Sequence, residues 1–189
     1  MAPRPRDLAP GIHHVWVHAT GNERYFADND DRMGWIRLLA RVVDVHGWTC
    51  LAFCQMSTHV HLVLSVPDTS LPLGMKQLNM AYSKEFNATH DRLGQFVRRR
   101  YGSRRVMDDR DLLGTYAYVV LNPVIAGLVP RPEDWRWSSH ATALRISSDF
   151  PFVDASLVIA EAAGSSDELR RFVETRGVAL LSPRATAGV

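Results

Sequence analysis

Cysteine is scarce in this sequence. Cys50 and Cys54 are the two in 189 residues, too few for a disulfide-built scaffold. They lie in an apolar stretch and read as small core side chains in a reducing compartment. No hydrophobic run approaches the roughly 20 residues of a membrane-spanning helix. The N-terminal run Met1-Ala2-Pro3-Arg4-Pro5-Arg6 lacks the apolar stretch of a secretion signal, so a cytoplasmic protein is expected. Neither charge dominates: 22 basic and 20 acidic residues leave a net charge of +2, and a whole-molecule field selects no partner. Internal repeats and low-complexity tracts are absent. What is present is ordinary for a globular chain, 46% hydrophobic and 22% charged, with length enough for one domain and a real core.

Residues 1–10 are rich in proline and arginine and are expected to be loose. His13 to Thr20 alternates like a strand, and its histidines read as ordinary strand residues. A helix is predicted from about Asp30 to His46, capped by Asp28 or Asn29 and stopped by Gly47. Trp48 to Met56 reads as a buried strand. Ser57-Thr58 turns it into a further strand that runs to Val66, an antiparallel hairpin. A second helix spans about Leu71 to Thr89, with Met75, Leu78, Tyr82 and Phe86 on its apolar stripe. A short strand over Tyr101 to Met107 precedes a third helix, capped by Asp108-Asp109 and expected to end at Asn122, because residues before proline disfavour helical dihedrals. The order predicts an α+β fold, a ferredoxin-like sandwich with a mainly antiparallel sheet. The domain itself covers 11–145. The tail, 146–189, is expected to be a helical extension with helices at Asp154 to Ala163 and Ser166 to Thr175.

Three groups of residues carry possible chemistry. In the strand ending at Val66, Val60, Leu62, Leu64 and Val66 face one way and His59, His61, Val63 and Ser65 the other. Two imidazoles at i and i+2 lie within about 7 Å of each other, close enough to share one metal ion. A pair of half-exposed histidines is the commoner meaning of so short a motif. On the third helix, Tyr118 and Asn122 project from one face a turn apart. A phenol oxygen is a possible nucleophile and an amide oxygen a possible ligand for a hard cation. Tyr116 points away and reads as core. Finally, Arg98, Arg99, Arg100, Arg104 and Arg105 crowd one segment with Phe96 and Tyr101. Guanidinium groups suit phosphate and aromatic faces suit unstacked bases, so the cluster is a candidate DNA-binding surface, with a solvated loop as the plainer alternative.

Four stretches together give a specific resemblance. They are Gly21-Asn22-Glu23-Arg24 leading to Phe26 and Asp28; Met56-Ser57-Thr58-His59-Val60-His61-Leu62; Tyr118 through Asn122-Pro123-Val124-Ile125-Ala126-Gly127 to Val129; and Pro132-Glu133-Asp134-Trp135-Arg136-Trp137-Ser138-Ser139. In this order and spacing the chain resembles the IS200-like single-tyrosine HUH transposases, and within them the transposases associated with repetitive extragenic palindromes (REP). The resemblance implies an HUH endonuclease fold, a divalent cofactor (Mg2+ or Mn2+) on His59, His61 and Asn122, and Tyr118 as nucleophile. It implies strand transfer on single-stranded or hairpin DNA through a 5′-phosphotyrosine intermediate, near the nucleoid, by a monomer or homodimer. Two positions depart from the family pattern. Ser57-Thr58 stands where Pro-Asn is frequent, and Ile125 where arginine is frequent; neither removes a catalytic group. Two alternatives stay open: a catalytically inactive or domesticated palindrome-binding protein, and a metal hydrolase using His59 and His61 with water.

Overall fold

The computed structural model describes residues 9–97 and 101–181. Four strands, β1 (Gly11–His18), β2 (Thr49–Gln55), β3 (His59–Val66) and β4 (Gly102–Arg105), form a sheet in the order β2-β3-β1-β4. Every pairing is antiparallel. Helix α1 (Asn29–Val45) joins β1 to β2, and α2 (Leu71–Thr89) joins β3 to β4. This βαββαβ order with central β1 and β3 is the ferredoxin-like arrangement the pattern predicts.

Local chemistry fixes the ends of α1. The Asp28 carboxylate accepts from the Asp31 amide while the Asp31 side chain accepts from the Asp28 amide, a reciprocal capping box. At the other end Gly47 takes φ +61°, and the amides of Gly47 and Trp48 donate back to the carbonyls of Asp44 and Val43. That is a Schellman stop, open to glycine because φ is positive.

The alternation in β1 and β3 assigns the two faces of the sheet. Val15, Val17, Val60, Leu62 and Leu64 join Trp35 and Leu39 of α1 and Leu78 and Tyr82 of α2 in one core. Val63, on the other face, belongs to a second core with Leu51 and Cys54 of β2. That core is closed by α3 (Asp109–Ile125) through Leu112, Tyr116 and Val120. Three later helices follow: α4 (His140–Ala143), α5 (Ser156–Glu161) and α6 (Ser166–Leu181). Val158, Leu169 and Val173 bring α5 and α6 into the same core. Each such side chain contributes about 1.5–3 kcal/mol relative to exposure, so α3 is held firmly against β2 and β3.

Several predicted boundaries are corrected, among them those of the tail, where α5 is shorter than Asp154 to Ala163 and α6 runs past Thr175 to Leu181. The strand expected over Tyr101 to Met107 is shorter, Gly102–Arg105. The third helix does not stop at Asn122; it runs through Pro123 to Ile125. A proline in the last turn removes a single ladder bond, and Pro123 is buried against the core side. The true stop is a second Schellman motif: Gly127 at φ +69°, with Gly127 and Leu128 amides donating to the carbonyls of Val124 and Pro123.

The segment around Pro132–Asp134 and Trp137 covers the exposed edge of β2. The Gln55 amide donates to the Trp137 carbonyl and the Ser139 amide to the Phe53 carbonyl. Arg32 of α1 reaches the same place, its guanidinium 4.7 Å from the Phe26 ring centre and 5.3 Å from that of Trp137. It also donates to the Gln55 carbonyl. The tryptophan-rich motif thus blunts a sheet edge that would otherwise template strand addition.

Candidate active site

The second face of the sheet is only partly covered. α3 lies over β2 and β3; over β1 and β4 the face opens into a cleft of about 750 Å³. Alternation along β1 aims His14, Trp16 and His18 into it, and alternation along β3 aims His59 and His61 into it. The antiparallel register sets His18 opposite His59 and Trp16 opposite His61. Four imidazoles therefore share one wall.

Their hydrogen bonds are orderly. His61 Nδ1 lies 3.0 Å from His14 Nε2. His59 Nδ1 lies 3.1 Å from Thr58 Oγ1, and the His18 ring stacks on His59 with centroids 5.0 Å apart. In the tautomer in which Nδ1 of each histidine donates, its Nε2 carries the lone pair that a metal ion takes. The His59 and His61 rings are 4.9 Å apart and nearly perpendicular. Burial, reinforced by the neighbouring histidines, pushes the pKa of His61 down to about 3 and that of His59 to about 4. Burial and the nearby Arg104 lower His14 to about 4. All three are neutral imidazoles near pH 7, the state in which imidazole ligates metal.

Tyr118 enters from α3. Its ring centroid is 5.5 Å from that of His61 and 5.7 Å from that of His14, edge-on to both. The side chain is 44% exposed on a helix whose neighbours Ala117 and Val119 are fully buried. Tyr116 is buried instead, bonded to His140 Nδ1 at 2.9 Å. Tyr82 is likewise a core residue, donating to the Tyr25 carbonyl.

Asn122 is on the helix one turn after Tyr118, but it is not among the residues lining the cleft. Its Nδ2 donates to the Tyr118 carbonyl at 2.7 Å and, more weakly at 3.5 Å, to the Val119 carbonyl. The Val119 carbonyl is the one Pro123 leaves without its ladder donor. The two neutral histidines, their rings 4.9 Å apart, thus fit a divalent ion as a pair, whereas Asn122 is engaged with its own backbone.

Of the arginines, 98–100 lie outside the described residues. Arg104 lines the cleft and forms a two-pronged ion pair with Asp111, also donating to Thr115 Oγ1. Arg105 lies beside Gly11 at the start of β1. Among the cleft residues, Trp16, Arg110 and, from α6, Arg176 were not singled out as site residues in the sequence. Nor were His14 and His18, although the i, i+2, i+4 pattern His14-Trp16-His18 in a strand beside the His-x-His strand would have found them. Among the described residues, one cluster brings three acidic or imidazole ligand atoms within 4.8 Å: Asp28, Asp31 and His90, at the start of α1. The Asp28 carboxylate already caps the helix, and that of Asp31 accepts from the Ala27 amide and from His90 Nε2.

The IS200-like transposase family model matches residues 10–119. The fold is similar to a solved REP-associated tyrosine transposase bound to a REP hairpin, at TM-score 0.67 and 15% identity, covering 77% of this chain and 86% of that one. A proposed transposase from Deinococcus radiodurans is 17% identical over 62% of this chain and 96% of that one, at TM-score 0.44. No curated protein sequence matches.

Proposed function

Since the chain belongs to the family of IS200-like transposases, we propose that it nicks and rejoins single-stranded DNA beside a hairpin, with Tyr118 as nucleophile and His59 and His61 as the metal-binding pair. The observation that carries this reading is the 5.5 Å approach of the Tyr118 ring to His61 across one open cleft. Hairpin DNA as substrate is suggested by the similarly folded transposase solved with a REP hairpin, and a REP-type palindrome is the proposed class of site.

A divalent ion on His59 and His61 would supply Lewis-acid polarisation of the scissile phosphate. Two imidazoles suit manganese better than magnesium, and either serves in this reading. Asn122 would join as third ligand through its amide oxygen after its side chain leaves the Tyr118 carbonyl. His14 holds His61 in the tautomer that leaves Nε2 open. The Tyr118 oxygen attacks phosphorus in line, the bond to the 3′ oxygen breaks, and the phenolic proton is balanced by the new 3′ hydroxyl. The DNA 5′ phosphate remains as a phosphodiester on Tyr118, which conserves the bond for rejoining. Trp16, on the same wall, offers an aromatic face to an unstacked base. The arginine segment 98–105 is the proposed path of the flanking backbone.

The test is a denaturing gel of protein incubated with Mn2+ and single-stranded hairpin DNA taken from the regions flanking the gene. The wild type should yield a protein–DNA adduct, and Tyr118→Phe should lose it while still binding. An adduct that survives in Tyr118→Phe refutes the nucleophile. Cleavage without any adduct indicates hydrolysis by water.

A further inference from the structure

Arg176 sits on α6, beyond the residues matched by the family model, yet it lines the cleft beside Tyr118. A Cβ built on Gly114 would lie 3.9 Å from Arg176 Nη2, an ordinary contact distance, so the guanidinium rests against α3 at Gly114. Gly114 is one turn before Tyr118, and residues four apart share a helix face about 6 Å apart. The arginine is therefore brought to the nucleophile's side of the cleft.

The surrounding charges are not equivalent. Arg104 is committed to Asp111, whose carboxylate also accepts from the Met107 amide. Asp108 caps α3 by accepting from the Asp111 amide. Arg110 stands exposed at the rim. Arg176 is exposed and, among the described residues, has no carboxylate partner, unlike Arg170 and Arg171 on the same helix, which face Glu133 and Glu168. A cation held over the cleft without an internal counter-ion fits an external anion, and guanidinium matches the paired oxygens of a phosphate.

We infer that Arg176 is a phosphate-gripping residue of the site, through which the C-terminal helix positions a backbone phosphate of bound single-stranded DNA on the Tyr118 side of the cleft. This rests on the proposed function and gives α6 a part in it. Arg176 acts on the substrate's charge, so its contribution is read from salt dependence, which a packing role would not move.

The experiment measures binding of a 20-nucleotide oligo(dT) by Tyr118→Phe protein as a function of salt. Loss of one phosphate contact on a single strand should lower the slope of log affinity against log salt by about 0.7. Arg176→Ala should show that decrease with a several-fold weaker affinity, and Arg176→Lys should keep most of the slope. Arg171→Ala, which removes a paired arginine elsewhere on α6, should leave it unchanged. Arg176→Ala should melt at the wild-type temperature, because the side chain is exposed. An unchanged slope in Arg176→Ala overturns the inference, even if wild-type protein forms the Tyr118 adduct. An equal loss of slope in Arg171→Ala overturns it too, by showing a diffuse charge effect. Absence of oligo(dT) binding by every protein overturns it, whereas the function on which it rests stands or falls separately by the Tyr118 adduct on hairpin DNA.

Discussion

His14 lines the cleft and meets His61 Nδ1 through its own Nε2, so its loss should appear in metal affinity before it appears in the fold. Outer hydrogen-bond partners of ligating histidines are worth about 10–100-fold in affinity. His14→Ala is expected to weaken Mn2+ binding by that factor in an EPR titration of free Mn2+, while His14→Gln, which keeps an acceptor for the His61 Nδ1 proton, recovers part of it. Equal affinity in all three proteins would remove His14 from the site.

The same histidines set an acid limit. His14, His59, His61 and the buried His140 have folded-state pKa values of about 4, 4, 3 and 3, below the ordinary imidazole value near 6.5. Above pH 6.5 they are neutral in both states and contribute no pH dependence. Between 6.5 and about 4 the unfolded chain binds protons that the folded chain refuses, so stability falls as pH falls. The urea midpoint should hold between pH 8 and 7 and drop steadily from 6.5 to 4, with a shallower drop in His61→Asn. A midpoint that rises toward acid would contradict the burial that lowers these pKa values. At this scale the sequence was half legible. His59 and His61 stand out as a pair, but His14 and His18 become partners only when the β1–β3 register is known, because that register pairs residues more than 40 positions apart.

Among the elements, α3 is one whose extent the sequence misstates. The rule that a residue before proline leaves the helix is a rule about an isolated dipeptide. Here the last turn is locked by the Gly127 stop and by Asn122, whose amide reaches the carbonyls of Tyr118 and Val119. The Asn122 side chain is therefore assigned a folding role whatever it does at the ion. Asn122→Ala should cost about 1 kcal/mol in urea unfolding, the usual worth of one such hydrogen bond. In a Pro123→Ala background, where residue 123 regains its N–H for Val119, the same substitution should cost measurably less. Additive costs in the double variant would show that Asn122 does not stand in for the missing donor. Helix α2 spans Leu71–Thr89 as the periodicity predicts, since its apolar stripe has one face to bury and a Pro-bearing start, whereas α5 is confined to Ser156–Glu161 and α6 runs on past Thr175 to Leu181.

For the molecule as a whole, alternation in two strands told the sheet's faces apart, and the ferredoxin-like order followed from the succession of elements. What the sequence did not show is how the helices after residue 146 would pack. Leu169 and Val173 of α6 enter the core of α3, but their spacing suits any amphipathic helix and names no partner. That packing decides what surrounds Tyr118: β1 and β3 beneath it, β4 through the Arg104–Asp111 pair, and α6 at the side.

The helix that carries the tyrosine is stitched into the same polypeptide that carries the histidines, by a shared core on one side and an ion pair on the other. On the proposed reading, Tyr118 and the histidine pair of a single molecule make up the working set. Adduct yield per protein should stay constant under serial dilution, with a rate first order in protein, and mixing a Tyr118→Phe chain with a His61→Ala chain should restore nothing.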